Sequence, residues 1–547
     1  MGYPSFQASN ALIYLTYGAF LVLGTGIAWR MRNQSKEGGF LSGNRTQTAL
    51  PLALNFIASA LGSGILFSYP QLAVISGLQG VLVYAVSTAL PMFVFAALGP
   101  VIRRKCPEGF VLTQWTQQRY GVPAAIFLGF LTLATLFLYM LAELSAIGQV
   151  VNALTGLDAV GGFRISLITD NIQGALVLGL IIIATITVGA KTHIDRATIV
   201  DSGLLNANLL GWQLLYILPV AILTNDFFLS NFWLRTFASR TDRDLWIGIS
   251  MAAVAILVIL TLVGCGGLVA VWSGAYPGPG VDPADADNSV AFFLLLEQLP
   301  AWVVGIVLVM SVSLSTAAFD SLQSAMISSA SNDLFRNRLP TVYIRVGVVL
   351  VIVPVVVLAL KTPSILQIYL ISDLVSASTI PVLVLGLWDA GPTVYWDGLD
   401  VIVGGLGGLL TVFVFGTIYY GSAETGAQLL LLEQGLYEGD WGAFGAFVAA
   451  PVGGLLFGLA SCVLRLAFLY VRARATGRPF LPLAACFYAQ PGRATSDDEN
   501  GHDNDIGSNP GGIGASSAAA PHGSYVIEAG PGGNFDEEMT GRKGPKY

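Results

Sequence analysis

Runs of about 20 apolar residues recur along this chain, and they constrain its fold more than any other feature. A helix of that length spans the hydrocarbon core of a bilayer. The runs are continuous rather than alternating, so they predict helices and not membrane strands. Twelve such spans lie at 10–30, 49–75, 80–103, 122–152, 165–190, 205–226, 245–273, 300–331, 341–361, 364–388, 398–421 and 442–473.

The composition agrees with a chain that lies mostly in lipid. Charged residues make up 11% of the 547 residues and the mean hydropathy is +0.70, whereas a soluble domain carries roughly 25% charged residues. A soluble enzyme, a nucleic-acid-binding protein and a disordered scaffold are therefore excluded. The segment 486–547 carries a charge of −5 out of the net −7. We predict that this polar tail is disordered and cytoplasmic.

Residue types that support metal or catalytic chemistry are scarce. The four cysteines form no CxxC pair and there are only three histidines, so the sequence indicates neither a disulfide framework nor a zinc site. It contains no HExxH motif, no GxSxG motif and no paired catalytic acids. We expect a protein that is not an enzyme and that uses no cofactor.

Two of the predicted spans carry residues that interrupt a helix. The span 49–75 contains Gly62 and Gly64, and the span 205–226 contains Pro219 and several polar residues that place it inside the bundle. Unwound segments in transporters expose carbonyl groups and helix ends that bind substrate and ions. Close helix packing through small residues is the alternative interpretation.

The distribution of basic residues conflicts with twelve crossings. Cytoplasmic loops are enriched in Lys and Arg, which places the basic segment after the first span inside and the N-terminus outside. From the span 165–190 onward, every basic loop then falls outside. One more crossing between 153 and 165 would restore the rule, although that stretch is too short to cross and turn. We predict that one helix is missing; a span that does not cross, or loops that break a statistical rule, are the alternatives.

Three short motifs, in this order, resemble the sodium/solute symporter family. Residues 119–121 (Arg-Tyr-Gly) are similar to the start of a family helix, and residues 161–173 carry a Gly-Gly, Thr-Asp and Gln signature. Residues 333–336 (Asp-Leu-Phe-Arg) are similar to the end of the family's ion-site helix. Residues 151–156 (Val-Asn-Ala-Leu-Thr-Gly) are close to the urea active transporter branch, particularly its fungal members. The resemblance covers residues 10–475.

The resemblance implies an all-α polytopic membrane protein with a LeuT-like core of two inverted five-helix repeats and flanking helices. In that frame 49–75 is the first core helix, 300–331 is the eighth, and the missing helix is the fourth. A splice or gene-model product, or a genuine shortened isoform, would explain the gap. The implied domains are a flanking helix and cytoplasmic loop at 1–48, the core at 49–388, two flanking helices at 389–485 and the tail at 486–547.

The resemblance also implies a cation site between the first and the eighth core helices. Ala58 and Leu61 match the positions whose backbone carbonyls bind the cation, and oxygen ligands suit a hard ion. The family's Ser/Thr pair falls on Ala317 and Ala318, which have no side-chain oxygen. A sodium site would therefore lack its two hydroxyl ligands here.

Four neighbouring residues of the eighth core helix are further candidates for ion coupling. Ser315 and Thr316 precede the alanine pair, although a two-residue shift turns them by about 200° around the helix. Asp320 follows an apolar run, where a carboxylate often marks an ion or proton path, and Ser321 stands next to it. The alternative role for Asp320 is a packing hydrogen bond. The predicted coupling ion is either Na+ or H+.

Polar residues within the predicted spans are candidates for lining a substrate cavity. Asp170 lies in the family signature, where it either favours a helix N-terminus or contacts an ion. Urea needs acceptors for its N–H groups, a donor for its carbonyl and an aromatic face. Aromatic residues at membrane interfaces are the alternative interpretation for Trp and Tyr. The candidate cavity residues are Ser59, Tyr69, Gln71, Glu143, Trp212, Gln213, Tyr216 and Asp373, the last also a candidate gate.

These features predict a secondary active transporter for urea or a similar small polar solute, which works by alternating access. Its surroundings would be the lipid bilayer, in the plasma membrane, and we expect no nucleic acid partner. The urea assignment depends on the resemblance alone, and polyamines are among the other solutes that fit. A transporter-like sensor that binds solute without moving it, and a non-functional truncated product, are the alternatives.

Overall fold

A computed structural model describes residues 6–31, 45–106, 112–155, 170–194, 196–278, 282, 286–335, 338–360, 364–388, 391–433, 435–436 and 439–477. Within these residues the chain is helical and forms no strand. The α-helices are α1 (Phe6–Met31), α2 (Ala49–Ala60), α3 (Ile65–Lys105), α4 (Leu112–Tyr120), α5 (Val122–Thr155), α6 (Asp170–Lys191), α7 (Arg196–Asp201), α8 (Leu209–Phe228), α9 (Ser230–Ala238), α10 (Asp242–Trp272), α11 (Ala291–Glu297), α12 (Ala301–Ser329), α13 (Thr341–Ala359), α14 (Ile365–Val384), α15 (Gly398–Tyr420), α16 (Ala423–Leu430) and α17 (Gly442–Thr476).

The predicted spans all fall on helices. In the described part of the chain, nine helices are long and apolar enough to cross a membrane. Helix α1 covers the predicted span 10–30, and α6 covers the described part of the span 165–190, from residue 170 onward. The all-α polytopic fold is therefore confirmed, because continuous apolar runs of this length satisfy their backbone groups in lipid only as helices.

Helix α3 contains the end of the predicted span 49–75 and the whole of the span 80–103. Its 41 residues would make a straight helix of roughly 60 Å, about twice the thickness of the hydrocarbon core. Gly77 interrupts it with a φ of 63° and a ψ of −160°. At this turn the backbone N–H of Leu78 donates to the carbonyl of Leu204 over 2.9 Å, and a Cβ on Gly77 would collide with that carbonyl. The glycine therefore allows both the turn and the close approach.

Two basic segments meet at one end of the bundle. The backbone N–H groups of Arg45 and Thr46 donate to the carbonyls of Phe237 and Ala238, over 3.2 and 3.0 Å. Both segments thus lie on the same side, as the positive-inside rule requires. Five predicted spans lie between the two segments, and an odd number of crossings would place them on opposite sides of the membrane. The conflict between the positive-inside rule and the number of predicted crossings therefore persists. The predicted site of the missing helix, 153–164, lies outside the described residues from 156 onward, and the missing helix stays a prediction.

The core of the described part of the chain is built around the helices α2, α3, α8 and α12. Helix α10 packs along α2 and α3, α8 packs against α3 and α14, and α12 packs against α5. An aromatic cluster fixes this arrangement: the ring of Phe95 lies 5.6 Å from that of Phe232 and 4.9 Å from that of Trp233. Helices α15 and α17 pack against each other and against α14, outside this core.

Candidate functional site

The first break in the helical core separates α2 from α3. Residues 61–64 are not helical, and the backbone N–H groups of Ile65, Leu66 and Phe67 at the start of α3 donate to the carbonyls of Gly62, Ser63 and Gly64. The carboxylate of Glu143, from α5, bonds to the break itself: its Oε2 accepts from the backbone N–H of Ser63 over 2.8 Å and from Ser63 Oγ over 3.0 Å. A carboxylate is favoured at this position because the helix dipole is positive there.

A second helix holds the same carboxylate from the other side. The hydroxyl of Tyr369, on α14, donates to Glu143 Oε1 over 3.1 Å. A Cβ on Gly62 would collide with the Glu143 carboxylate, and a Cβ on Gly64 would collide with the Tyr369 hydroxyl. The two glycines are therefore required for the approach of α5 and α14 to the break.

The second break separates α8 from α9. Leu229 has an extended backbone, with φ −73° and ψ 93°, between the helix that ends at Phe228 and the helix that begins at Ser230. The residues of the span 205–226 predict an interruption there, and this position is wrong. Helix α8 runs through Pro219 without a break, because neighbouring helices can satisfy the single freed carbonyl that proline leaves in a membrane helix.

A cavity of about 110 Å³ lies between the two breaks. Its described lining residues include none that is basic. They include three carboxylates and four tyrosines, contributed by α3, α5, α8 and α14. These seven residues are Glu143, Asp226, Asp373, Tyr69, Tyr84, Tyr139 and Tyr369.

Asp226 and Asp373 line the cavity from two helices that pack against each other, α8 and α14. Asp226 is 6% exposed and lies three residues before the second break, and Asp373 on α14 is 5% exposed. Asp373 Oδ1 has no hydrogen-bond partner among the described residues. A buried carboxylate is costly without a partner of opposite charge, so this pair of acids favours a cation in the cavity.

Aromatic rings cover the walls of the cavity. The rings of Tyr69 and Tyr84 stack with a centroid distance of 3.9 Å, and those of Tyr139 and Tyr369 lie 5.0 Å apart. The Tyr69 hydroxyl bonds to Thr88 Oγ1 over 2.6 Å. Aromatic faces attract ammonium groups and also contact methylene chains, so the walls suit a cation with an aliphatic body.

A polar residue behind the cavity connects its acidic helices. Asn225 donates from Nδ2 to the Tyr139 hydroxyl over 2.5 Å, and its Oδ1 accepts from Ser372 Oγ over 3.2 Å. Asn225 and Ser372 are the chain neighbours of Asp226 and Asp373. This contact therefore fixes the position of one acid relative to the other.

The structure brings together half of the predicted substrate residues. Ser59, Tyr69, Glu143 and Asp373 line the cavity. The other four do not belong to its lining. Trp212 is 60% exposed on the outer face of α8, and Gln213 is buried at 2% exposure. The Tyr216 hydroxyl donates to the carbonyl of Phe447 on α17 over 3.4 Å, and Gln71 is half-buried on α3. Asp170 is the first residue of α6.

The predicted ion residues cluster where α2 meets α12. Ala58 and Leu61 are buried at the end of α2, and Ala318 lines the cavity. The Thr316 hydroxyl donates to the Val312 carbonyl of its own helix over 2.6 Å. Ser321 Oγ accepts from the guanidinium of Arg235 over 3.1 Å. Ser315, Ala317 and Asp320 are buried in the same part of α12.

Sequence reasoning missed one of the three carboxylates and most of the aromatic wall. Asp226 stands next to Asn225 at the end of an apolar run, and this polar pair was the available signal. Tyr84, Tyr139 and Tyr369 lie in separate spans, and their common cavity depends on packing that the sequence does not display.

The chain is 52% identical over 503 residues to the spermidine transporter DUR31 of Candida albicans, a match that covers 88% of this chain and 94% of that protein. No family model matches the chain. A solved structure of a Na+-coupled sialic acid symporter, in a substrate-bound outward-open state, is similar with a TM-score of 0.57 at 14% identity. That match covers 82% of this chain and 98% of the symporter. The similarity supports the predicted LeuT-like transporter fold.

Proposed function

Because this chain belongs to the family of the fungal spermidine transporter DUR31 and is a membrane transporter, we propose that it carries a polyamine such as spermidine, by alternating access. The urea branch of the sodium/solute symporters suggested by the sequence is thus only partly supported. One observation carries the proposal: Asp226 and Asp373 face a tyrosine-lined cavity whose described lining has no basic residue.

The charge of the cavity matches a polyamine better than it matches urea. A polyamine carries ammonium groups at neutral pH, and charge-assisted hydrogen bonds to carboxylates are among the strongest that proteins make. The unpartnered Oδ1 of Asp373 is available as such an acceptor. Urea is neutral and would leave the buried acids without a counter-charge, which is unfavourable.

The three carboxylates have different roles in this proposal. Glu143 already accepts hydrogen bonds from Ser63 and Tyr369, so it holds the first break in place. Asp226 and Asp373 bind the ammonium groups. The rings of Tyr69 and Tyr84, which stack on each other, contact the methylene segments that join the ammonium groups of the substrate.

The two breaks would allow the cavity to open to one side of the membrane and then to the other. Broken helices in transporters allow half-helices to rotate around a central site. We place the N-terminus outside and α2 toward the cytoplasm, in the plasma membrane, following the positive-inside rule. An inside-negative potential then favours entry of the substrate. Each elementary charge that crosses gains about 2.3 kcal/mol per 100 mV of membrane potential, so a trivalent polyamine gains roughly 7 kcal/mol at 100 mV.

Uptake into proteoliposomes tests the proposal. The full chain is reconstituted, and radiolabelled spermidine and radiolabelled urea are supplied in parallel, with protein-free liposomes as the control. We expect saturable spermidine uptake and urea uptake no faster than in the control. Saturable urea uptake without spermidine uptake would contradict the proposal. Spermidine binding to the purified protein without uptake would instead support the sensor alternative.

A further inference from the structure

Two half-helices from different breaks are joined by a pair of polar contacts. Asn231 on α9 donates from Nδ2 to Ser59 Oγ on α2 over 2.6 Å. Arg235, four residues further along α9, donates from Nε to the carbonyl of Asn55 over 3.0 Å. Asn55 lies four residues before Ser59, so the two contacts form successive rungs between antiparallel helices.

The guanidinium of Arg235 also reaches a third helix. Its Nη2 donates to Ser321 Oγ on α12 over 3.1 Å, and its Nη1 donates to the Asn231 carbonyl over 2.8 Å. A planar guanidinium with five N–H groups can make such contacts in several directions at once. The half-buried positive charge of Arg235 therefore bonds to α2, α9 and α12 together.

This junction lies beside the place where a coupling cation was expected. Asn55 precedes Ala58 by three residues, about one helical turn. Ser321 follows Ala318 by three residues and is itself one of the predicted ion residues. Ala318 offers no hydroxyl ligand. A fixed positive charge about one turn away also repels a second cation.

We propose that the guanidinium of Arg235 is a resident cation that replaces a coupling sodium ion between α2 and α12, so that transport by this chain does not require Na+. An ion bound there would connect α2 to α12 through oxygen ligands, and Arg235 makes the same connection through its N–H groups. A polyvalent substrate supplies its own electrical driving force. The inference rests on the proposed polyamine transport for its assay.

Replacing sodium in the uptake assay tests this inference on the unmodified chain. Proteoliposomes take up radiolabelled spermidine under an inside-negative potassium diffusion potential, with either sodium chloride or choline chloride on both sides. We expect initial rates that agree within twofold. A rate that falls tenfold or more in choline would overturn the inference.

Substitutions at Arg235 test the role of its charge. We expect Arg235→Gln to lower the uptake rate at least tenfold and Arg235→Lys, which keeps the charge, to stay within about threefold of the unmodified chain. Arg240→Gln, an exposed arginine five residues further on, is the matched control and should leave the rate unchanged. Equal loss in the Gln and Lys variants, or no loss in Arg235→Gln, would overturn the resident-cation role.

Two further readouts keep the outcomes distinct. Size-exclusion chromatography establishes that each variant is folded, and the sodium replacement needs no variant at all. If the chain binds and transports spermidine only with Na+, the resident-cation inference fails and the polyamine function stands. If the chain shows neither spermidine binding nor spermidine uptake in any salt, the polyamine function itself fails.

Discussion

The two breaks in the core each separate two consecutive helices, but they differ in the residues that form them. The break at residues 61–64 is made of small residues and is occupied by a side chain from elsewhere, Glu143. The break at Leu229 is a single extended residue that follows the chain's own carboxylate, Asp226. The first break receives an acid, whereas the second contributes one to the cavity.

This difference distinguishes a carboxylate that stabilises a helix break from one that is available to bind a ligand. A carboxylate with three hydrogen bonds at a helix start, such as Glu143, stabilises the geometry of the break. A carboxylate that faces an aromatic cavity, such as Asp226, has its oxygens available to a ligand. Two acids of similar burial therefore have different roles in the proposed function because of what surrounds them, and substitutions can separate the two roles.

The largest effect should come from the binding acids. We expect the double variant Asp226→Asn with Asp373→Asn to lose at least 100-fold in spermidine affinity, since each hydrogen bond to a charged group is worth about 1.5–3 kcal/mol. Equilibrium binding of radiolabelled spermidine to the purified protein measures this loss. The control is Asp201→Asn, an exposed acid outside the cavity. Binding within threefold of the unmodified chain would remove these acids from the site.

The next effect should come from the first break itself. In Gly62→Ala the new Cβ would collide with the Glu143 carboxylate, so the carboxylate must leave Ser63. We expect a destabilisation of about 1–3 kcal/mol, typical of overpacking, and an uptake rate lowered about tenfold. A thermal melt and the spermidine uptake assay measure the two quantities. Gly179→Ala is the control, because no atom lies within 4 Å of its Cβ; an equal effect at both glycines would contradict this account of the break.

A smaller effect should come from the charge of the holding acid. Glu143→Gln keeps an acceptor for Ser63 but loses the interaction with the helix dipole, which is worth about 0.3–1 kcal/mol. We expect spermidine affinity to change less than fivefold, measured by the same binding assay. If Glu143→Gln weakens binding as much as Asp373→Asn alone, Glu143 is a substrate ligand and the two breaks do not differ in the way described.

The smallest effect should come from Trp212, a candidate cavity residue that the fold places elsewhere. Its side chain is 60% exposed on α8, so Trp212→Ala removes no contact from the cavity. We expect the spermidine uptake rate and its half-saturating concentration to stay within twofold. Tyr69→Ala, which removes a ring that lines the cavity, is the comparison and should raise the half-saturating concentration. A tenfold loss in Trp212→Ala would show that the outer face of α8 takes part in transport.

The fold could be predicted from the sequence because lipid permits few alternatives to a helix for long apolar runs. The site was only partly readable. Gly62 and Gly64 marked the first break, since glycine is unusual in a helix unless the backbone needs freedom or close approach. The second break at Leu229 has no such residue, and nothing in its sequence distinguishes it from a helical leucine. The contact of Arg235 with Ser321 joins residues 86 apart in the chain, and only packing reveals it.

A cryo-electron microscopy structure of the full chain with saturating spermidine would test the central claim most directly. We predict density for an extended ligand between the two breaks, with ammonium groups within hydrogen-bonding distance of Asp226 and Asp373 and with Tyr69 and Tyr84 against its methylene groups. Glu143 should still accept from Ser63. Ligand density away from both aspartates, or a cavity that stays empty at saturating spermidine, would contradict the account.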